Sequence, residues 1–419
     1  MDKNQIKSFL DPRHLFSNTL SRFFSQDHFV RMHGLWGRKV FLNWKRAFTR
    51  LLPLGGASAG NRVTLYDDGD AAFFSIQDAL RGAQKNIWLE TYIFEPDALG
   101  TRIRNTLVDA ALRGVHIIVL YDHFGSQRVT QSFWEPLLAA GGRVYAFNPI
   151  WPWRRKGPFL FRDHRKILIV DNRFGFCGGQ NISVDYAGPK LGNGRFRDTV
   201  IRLEGPSIKD LGKLFLASLR ETTGQVQNFE YDGPVHKEDI FIQVLGSNTR
   251  RNLHAIQRSM EVTLKRATRY CYFTTPYFMP YDNLRKAMIE AASRGVDVRI
   301  LTAGLSDVPL MRMASQRVYG QFLKAGIRVY EMFDKTLHAK TATIDGVYGT
   351  VGSYNLDHWS ARRNLEVNIS IFDAGVARDL EKNFHQDLQL AREVTMANLN
   401  NRPWWLRIAQ WFAYQLMRL

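Results

Sequence analysis

HRKILIVDNRFGFCGGQN, residues 164–181, and HAKTATIDGVYGTVGSYN, residues 338–355, are one frame written twice. Each reads His-x-Lys-x4-Asp, then a pair of small residues and an Asn. The first copy holds His164, Lys166, Asp171, Gly178, Gly179 and Asn181; the second holds His338, Lys340, Asp345, Gly352, Ser353 and Asn355. His and Asn stand 17 residues apart in both copies, so the chain is a duplicated scaffold.

Around each frame the pattern predicts strand, turn, strand. KILIVD (166–171) and KTATID (340–345) are apolar or alternating, and the GG or GS pair punctuates a second apolar run. His and Lys two apart on a strand share a face. Glycines beside them let backbone N–H groups approach an anion. Imidazole, ammonium and amide together suit an oxyanion of phosphorus. Two such sets, brought together, supply one histidine to attack phosphorus and another to handle the leaving group's proton. Asp171 and Asp345 each close a strand at a turn, which predicts a structural role through local backbone bonds. Metal ligation is not expected, because no His or carboxylate cluster supplies three or four ligands.

Both frames resemble the HKD signature of the phospholipase D superfamily. The resemblance implies one active site built from two motifs and catalysis through a phosphohistidine, with no metal and no other cofactor. Flanking stretches narrow it: ETYIFEPDALG (90–100), LYDHFGS (120–126), RDTVIRLEGP (197–206), TPYFMP (275–280) and the run 338–373 look like bacterial cardiolipin synthases, and the likeness spans residues 61–395. Gly179 stands where the superfamily usually has Ser, as Ser353 does in the second copy, so one half lacks a hydroxyl donor.

A catalytic imidazole needs a partner that sets its tautomer, so each half should supply a carboxylate. In the second half Glu366, on the predicted strand NLEVNI, stands where the superfamily places its histidine-orienting acid. In the first half Asp198 in DTVIRL holds the equivalent place after a longer, Gly-rich loop, 187–194.

Repetition extends beyond the motifs. ALRGVHIIVLYD (111–122) parallels AASRGVDVRILTAG (291–304), and AAGGRVY (139–145) parallels KAGIRVY (324–330). Amphipathic helices at 101–113 and 282–294 alternate with β-branched strands. The fold class expected is α/β: two similar phospholipase D-like lobes, each a mainly parallel or mixed sheet flanked by helices, with the site at their interface. The segments are 1–60, a basic amphipathic membrane-association piece; 61–220, the first lobe; 221–240, a linker; 241–395, the second lobe; and 396–419, a C-terminal amphipathic helix.

Composition bounds the partner. With 57 Lys and Arg against 39 Asp and Glu, the net charge of +18 favours a polyanionic surface, whether nucleic acid or anionic lipid. Distribution favours lipid. Trp405, Ile408, Trp411, Phe412, Leu416 and Leu419 fall on one helical stripe opposite Arg407, Gln410 and Arg418, with Trp404 beside it. Phe41, Trp44, Phe48, Leu51 and Leu52 make a similar stripe opposite Arg46 and Arg50. Basic amphipathic helices with Trp and Phe lie in bilayer interfaces. WPWRRKGPFLFRDHRK (151–166) runs aromatic and basic residues, Trp151, Trp153, Arg154 and Arg155 among them, straight into His164, as a loop entering an anionic interface would. No nucleic acid is expected as partner.

No segment reaches the length of about 18 apolar residues that spans a bilayer, and the start lacks a secretory core. The resemblance then implies the short, peripheral B type of cardiolipin synthase, on the cytoplasmic face of the bacterial inner membrane. Cys177 and Cys271 sit in apolar strands and read as buried thiols of a reducing compartment. The expected function is a phosphatidyltransferase joining two phosphatidylglycerols into cardiolipin with release of glycerol; a hydrolytic phospholipase D, a transferase with another acceptor alcohol, and a nuclease are the alternatives.

Overall fold

The apolar runs of both halves meet in one mixed sheet of sixteen strands. The computed structural model describes residues 50–151, 158–247 and 254–418, together with Trp44, Ala47 and Phe48. The first half contributes β1 (Gly56–Tyr66), β2 (Asn86–Thr91), β3 (His116–Asp122), β4 (Arg143–Phe147), β5 (Arg162–Asp163), β6 (Ile167–Val170), β7 (Phe174–Gly178), β8 (Phe196–Arg197) and β9 (Val200–Glu204). The second contributes β10 (Ile240–Ser247), β11 (Tyr270–Thr274), β12 (Asp297–Ala303), β13 (Arg328–Met332), β14 (Thr336–Leu337), β15 (Thr341–Ile344), β16 (Tyr348–Gly352), β17 (Asn364–Phe372) and β18 (Ala391–Val394); of these eighteen, β8 and β14 form a separate two-stranded sheet.

Strand order shows the duplication. The first lobe runs β1-β9-β7-β6-β2-β3-β4 and the second β10-β17-β16-β15-β11-β12-β13-β18. Only the βαβ parts, β2-β3-β4 and β11-β12-β13, are parallel within each lobe. Motif hairpins β6-β7 and β15-β16 are antiparallel, so the sheet is mixed and not mainly parallel. At the junction β1 pairs antiparallel with β10, Gly56 opposite Val244. The pairing joins what reads as two separate sheets into one and leaves no free edge between the lobes.

Helices cover both faces. Ala98–Leu112 begins where the Asp97 carboxylate accepts from the Gly100 N–H, and Ala374–Gln389 where Asp373 accepts from Gly375 and Val376, both ordinary N-caps. Ile208–Thr223 stops at Gly224, φ 80°, the left-handed cap glycine takes without strain.

The stripe expected to lie in a membrane near residue 44 lies instead in the second lobe's core. Trp44 is 1% exposed and Phe48, Leu51 and Leu52 are buried with it. Trp44 stacks on Tyr348 at 5.8 Å and Phe48 packs on Phe372 at 4.5 Å. Burying each such side chain is worth roughly 1.5–3 kcal/mol, and an aromatic sheet face already present takes the stripe. Phe41 lies outside the described residues.

The C-terminal helix Trp404–Arg418 behaves in the opposite way. It packs on the helix Pro309–Lys324 through Ala413 and through Gln410, whose amide donates to Gln316 at 2.9 Å. Gln410, assigned by its polarity to the wet face, is thus the buried one. Trp404, Trp405, Ile408, Trp411, Phe412 and Leu416 face outward. Among the described residues no helix is long and apolar enough to cross a membrane.

Candidate active site

Two-residue strands bring the halves of the site together. β5 pairs parallel with the start of β17, Arg162 opposite Asn364 and Asp163 opposite Leu365. β14 pairs the same way with β8, Thr336 opposite Phe196 and Leu337 opposite Arg197. Each ladder continues one step into its motif: the His164 N–H donates to Leu365 O at 2.9 Å and the His338 N–H to Arg197 O at 2.8 Å. Each histidine is therefore hung on a strand of the other lobe.

The ladder sets the acid. His164 Nδ1 lies 3.0 Å from Glu366 Oε2, and His338 Nδ1 2.6 Å from Asp198 Oδ2. Glu366 and Asp198 do not serve their own halves but cross to the opposite histidine. With Nδ1–H donating to a carboxylate, Nε2 is the nitrogen left for chemistry. Arg165, fully buried, braces the crossing: its guanidinium donates to Glu366 O at 3.2 Å and Ser247 O at 2.9 Å.

Both imidazoles line one cavity of about 390 Å³ at the lobe interface, together with Asn181 and Asn355. Asn181 donates to the Tyr186 hydroxyl at 2.7 Å and accepts from the Ile93 N–H at 3.1 Å. The side-chain oxygen of Asn355 is buried without a partner. Lys166 and Lys340 are buried beneath the histidines and donate to the carbonyls of His164 and His338; an ammonium has two further N–H groups to offer.

Burial and neighbouring charges oppose one another across the site. Burial pushes the His164 imidazole down to about 4, with Glu366 opposing and Lys166 adding to the fall. His338 is lowered by burial and by Lys340. Burial also brings Lys166 down to about 7 and Lys340 to about 8. Burial acts against ionisation of Glu366 too, but His164, Lys166 and the Ser353 hydroxyl outweigh it and hold the carboxyl below its ordinary range; His338 and Lys340 do the same for Asp198.

The turn residues divide by task. Asp171, at φ 54°, accepts from the N–H groups of Gln84, Lys85 and Asn86. Asp345, at φ 57°, accepts from those of Thr268, Arg269 and Tyr270. Both tie a motif hairpin to the strand beside it. A Cβ on Gly178 would come within 2.3 Å of Thr199 O, and one on Gly352 within 2.2 Å of Val367 O. Ser353 donates its hydroxyl to Glu366. A counterpart at Gly179 would displace Asp198, because its Cβ would stand 2.3 Å from Asp198 Oδ1. The Thr199 N–H, 2.7 Å from that oxygen, gives Asp198 a donor instead.

Several lining residues escaped the sequence reading. Tyr92 packs edge-on against His164 at 4.9 Å and lies 5.2 Å below the Lys166 ammonium. Tyr186 meets His338 edge-on at 5.2 Å, and Tyr277, Asp307 and Asp357 complete the wall. Tyr92 and Tyr277 lie in the quoted stretches ETYIF and TPYFMP, where they look like any strand-end aromatic. Among the described residues no group of three or more His, Cys, Asp or Glu is arranged to hold a metal. Cys177 and Cys271 are free and buried.

The family model described as cardiolipin synthase, PLD-like domain, matches residues 76–189 and 260–388, which contain both motifs. The chain belongs to the phospholipase D-like cardiolipin synthase family. It is 33% identical over 356 residues to the major cardiolipin synthase ClsA of Bacillus subtilis (strain 168), covering 84% of this chain and 73% of that protein. It is 30% identical over 362 residues to a cardiolipin synthase of Geobacillus thermodenitrificans (strain NG80-2), covering 84% and 71%. A solved structure of phosphatidylserine synthase from Haemophilus influenzae Rd KW20 shares the fold, with a TM-score of 0.67 at 16% identity over 90% of this chain and 99% of that one. Membership in this family accounts for two motif segments of similar length, one per lobe.

Proposed function

We propose that this chain is a phosphatidyltransferase that joins two phosphatidylglycerols into cardiolipin and releases glycerol. The observation that carries the reading is the single cavity holding both imidazoles, each with Nδ1 on a carboxylate, above two buried lysines.

His164 Nε2 attacks the phosphorus of the first lipid. The bond from phosphorus to the headgroup oxygen breaks, and that oxygen leaves with the electron pair and takes a proton from the His338 imidazolium. Phosphatidyl-His164 and free glycerol result. His338, now neutral, takes the proton from a hydroxyl of the second lipid's headgroup. That oxygen attacks phosphorus, the P–N bond breaks, and His164 returns as it began. Lys166, Lys340, Asn181 and Asn355 meet the non-bridging oxygens, where charge gathers in both transition states. The phosphodiester's own charge favours the charged forms of His338, Lys166 and Lys340 that burial opposes, since an anion beside imidazole and ammonium stabilises them.

The protein reaches its substrate by lying on an anionic membrane surface. Phe124, Phe159, Leu160 and Val308 are exposed at the rim of the cavity, Trp151 is exposed nearby in sequence, and Met417 of the C-terminal helix reaches the same cavity. Trp404, Trp405 and Trp411 stand on that helix's outward face. Trp153, Arg154 and Arg155 lie outside the described residues. Apolar side chains around a cavity that takes a diacyl lipid, on a chain of net charge +18, suit a bilayer rich in phosphatidylglycerol.

Purified protein incubated with labelled phosphatidylglycerol vesicles should yield cardiolipin and glycerol in equal amounts. Phosphatidic acid as the sole lipid product would make the enzyme a hydrolase.

A further inference from the structure

The two flanks of the catalytic cavity are unlike. On the His164 side stand Tyr92 and the exposed rim of Phe124, Phe159 and Leu160. On the His338 side the cavity continues into a second hollow of about 340 Å³, with Ile93, Tyr186 and Asp307 lining both. Charged side chains line much of this hollow. Glu95 pairs with Arg128 at 3.5 Å and Asp185 with Arg195 at 2.9 Å, while Asp97 accepts from the N–H groups of Gly100 and Val184. Four carboxylates, Glu95, Asp97, Asp185 and Asp307, and two guanidinium groups, Arg128 and Arg195, line it, so it offers a guest acceptors and donors side by side.

Asp307 stands at the junction of the two spaces, its carboxylate accepting from the Tyr277 hydroxyl at 2.8 Å. The Tyr186 hydroxyl, fixed by Asn181, lies 3.5 Å from His338 Nε2. Asn355, only 4% exposed and lining the same cavity, has a side-chain oxygen with no partner. These groups surround the place where an alcohol bonded to phosphorus has to leave. Attack by His164 puts the departing oxygen on the opposite side of phosphorus, toward His338, and the incoming hydroxyl retraces that path.

We propose that the junction of the two spaces is a polyol subsite: Asp307, Tyr277 and Tyr186 hold the hydroxyls of a glycerol headgroup, first as it leaves and then as it accepts. The proposal rests on the phosphatidyltransferase reading and deepens it by placing the acceptor. Hydroxyls donate and accept, which matches a wall of paired acids and guanidinium groups. A site built to hydrogen-bond hydroxyls discriminates strongly against an alcohol that lacks them.

The test uses the full chain in mixed micelles with a phosphatidyl ester of p-nitrophenol, whose leaving group has no further hydroxyl and needs little protonation. Nitrophenol release reports attack by the histidine, and the lipid products report capture by glycerol, 1-propanol or ethanolamine. The wild type should favour glycerol over 1-propanol by at least ~10-fold at equal concentration. Asp307→Ala should largely erase that preference, with the KM for glycerol rising more than kcat falls. Asp307→Asn, whose amide oxygen still accepts, should keep part of it, and Tyr277→Phe should act in the same direction. Asp307 is exposed in a loop, so its two variants leave the core untouched, and Tyr277→Phe keeps the buried ring and removes only the hydroxyl. A preference for glycerol unaltered in Asp307→Ala overturns the subsite while leaving the transferase intact. Ethanolamine capture falling more than glycerol capture would make Asp307 an ammonium partner and also overturn it. A wild type that releases nitrophenol but gives no cardiolipin from phosphatidylglycerol refutes the transferase reading itself.

Discussion

His164 Nδ1 stands 3.0 Å from Oε2 of Glu366, 202 residues further along the chain and in the other lobe. The mirror contact joins His338 to Asp198 across 140 residues. Neither lobe can orient its own histidine. Glu366→Gln should therefore cripple the His164 step and Asp198→Asn the His338 step, each by on the order of 100- to 10,000-fold, as when a triad carboxylate becomes an amide and the tautomer is lost. Trapping the adduct separates them: Glu366→Gln should form phosphatidyl-His164 slowly from any donor. Asp198→Asn should form it at a nearly normal rate from a nitrophenyl donor, which needs no proton. The reverse pattern would assign each acid to the histidine of its own lobe.

Removing either histidine should abolish turnover, and His164→Ala combined with His338→Ala should be scarcely worse than one change alone, because groups that act as a unit are strongly non-additive. Rates on phosphatidylglycerol micelles would test this. Losses that multiply would mean two independent sites.

The pH profile of kcat/KM should be a bell displaced to the acid side. His164 has to be neutral to attack, and burial brings it to about 4, so the rising limb lies near there. His338 has to carry a proton, and its own lowered value sets the falling limb below the ordinary imidazole range of about 6.5. Bound phosphodiester is an anion and stabilises imidazolium, so both limbs of kcat should lie at higher pH than those of kcat/KM. A kcat bell below the kcat/KM bell would contradict the charge arrangement. The limbs belong to the coupled pair and not to single residues.

Gly179→Ser should cost activity while leaving the fold in place. The new Cβ would stand 2.3 Å from Asp198 Oδ1, the movable end of a side chain, so Asp198 is displaced from His338 and the strand is not. A loss of at least ~10-fold with an unchanged melting temperature is the expected result. Normal activity would mean that Asp198 can hold His338 from another rotamer.

Truncating the C-terminal helix would confuse two effects, since Gln410 and Ala413 seat it on the second lobe. Changing only the outward face avoids this. Trp405, Phe412 and Leu416 are 59%, 62% and 54% exposed. Replacing all three with Gln should weaken binding to phosphatidylglycerol vesicles by at least ~10-fold, since even partial burial of three large apolar side chains is worth several kcal/mol at about 25 cal/mol per Å². Thermal unfolding should not move. Activity should fall more on vesicles than in detergent micelles, and equal losses in both would show that the face serves the lobe and not a membrane.

The candidate site was legible in the chain because most of its groups are local. Equal spacing of His, Lys and Asn, the strand that puts His and Lys on one face, and the turn that asks for Asp171 and Asp345 all lie within 18 residues of each other in each copy. Tyr186, Tyr277 and Asp307 escaped because nothing in the spacing of an aromatic or a loop acid says that it faces a cavity. Periodicity likewise shows that a helix has an apolar face and not what covers it. Trp44 and Phe48 found an aromatic sheet face and went inside, while Trp405 and Phe412 stayed out because Gln410 and Ala413 took the contact with the lobe. The choice of acid for each histidine was beyond the sequence for the same reason. Two candidate carboxylates can be named from their strands, but which imidazole each meets depends on two-residue ladders, β5 on β17 and β14 on β8, that form only when the lobes close on each other. The sequence by itself determined the candidate site groups and the duplicated unit; tertiary structure alone decided which half completes which, because backbone pairing between distant strands leaves no mark in local spacing.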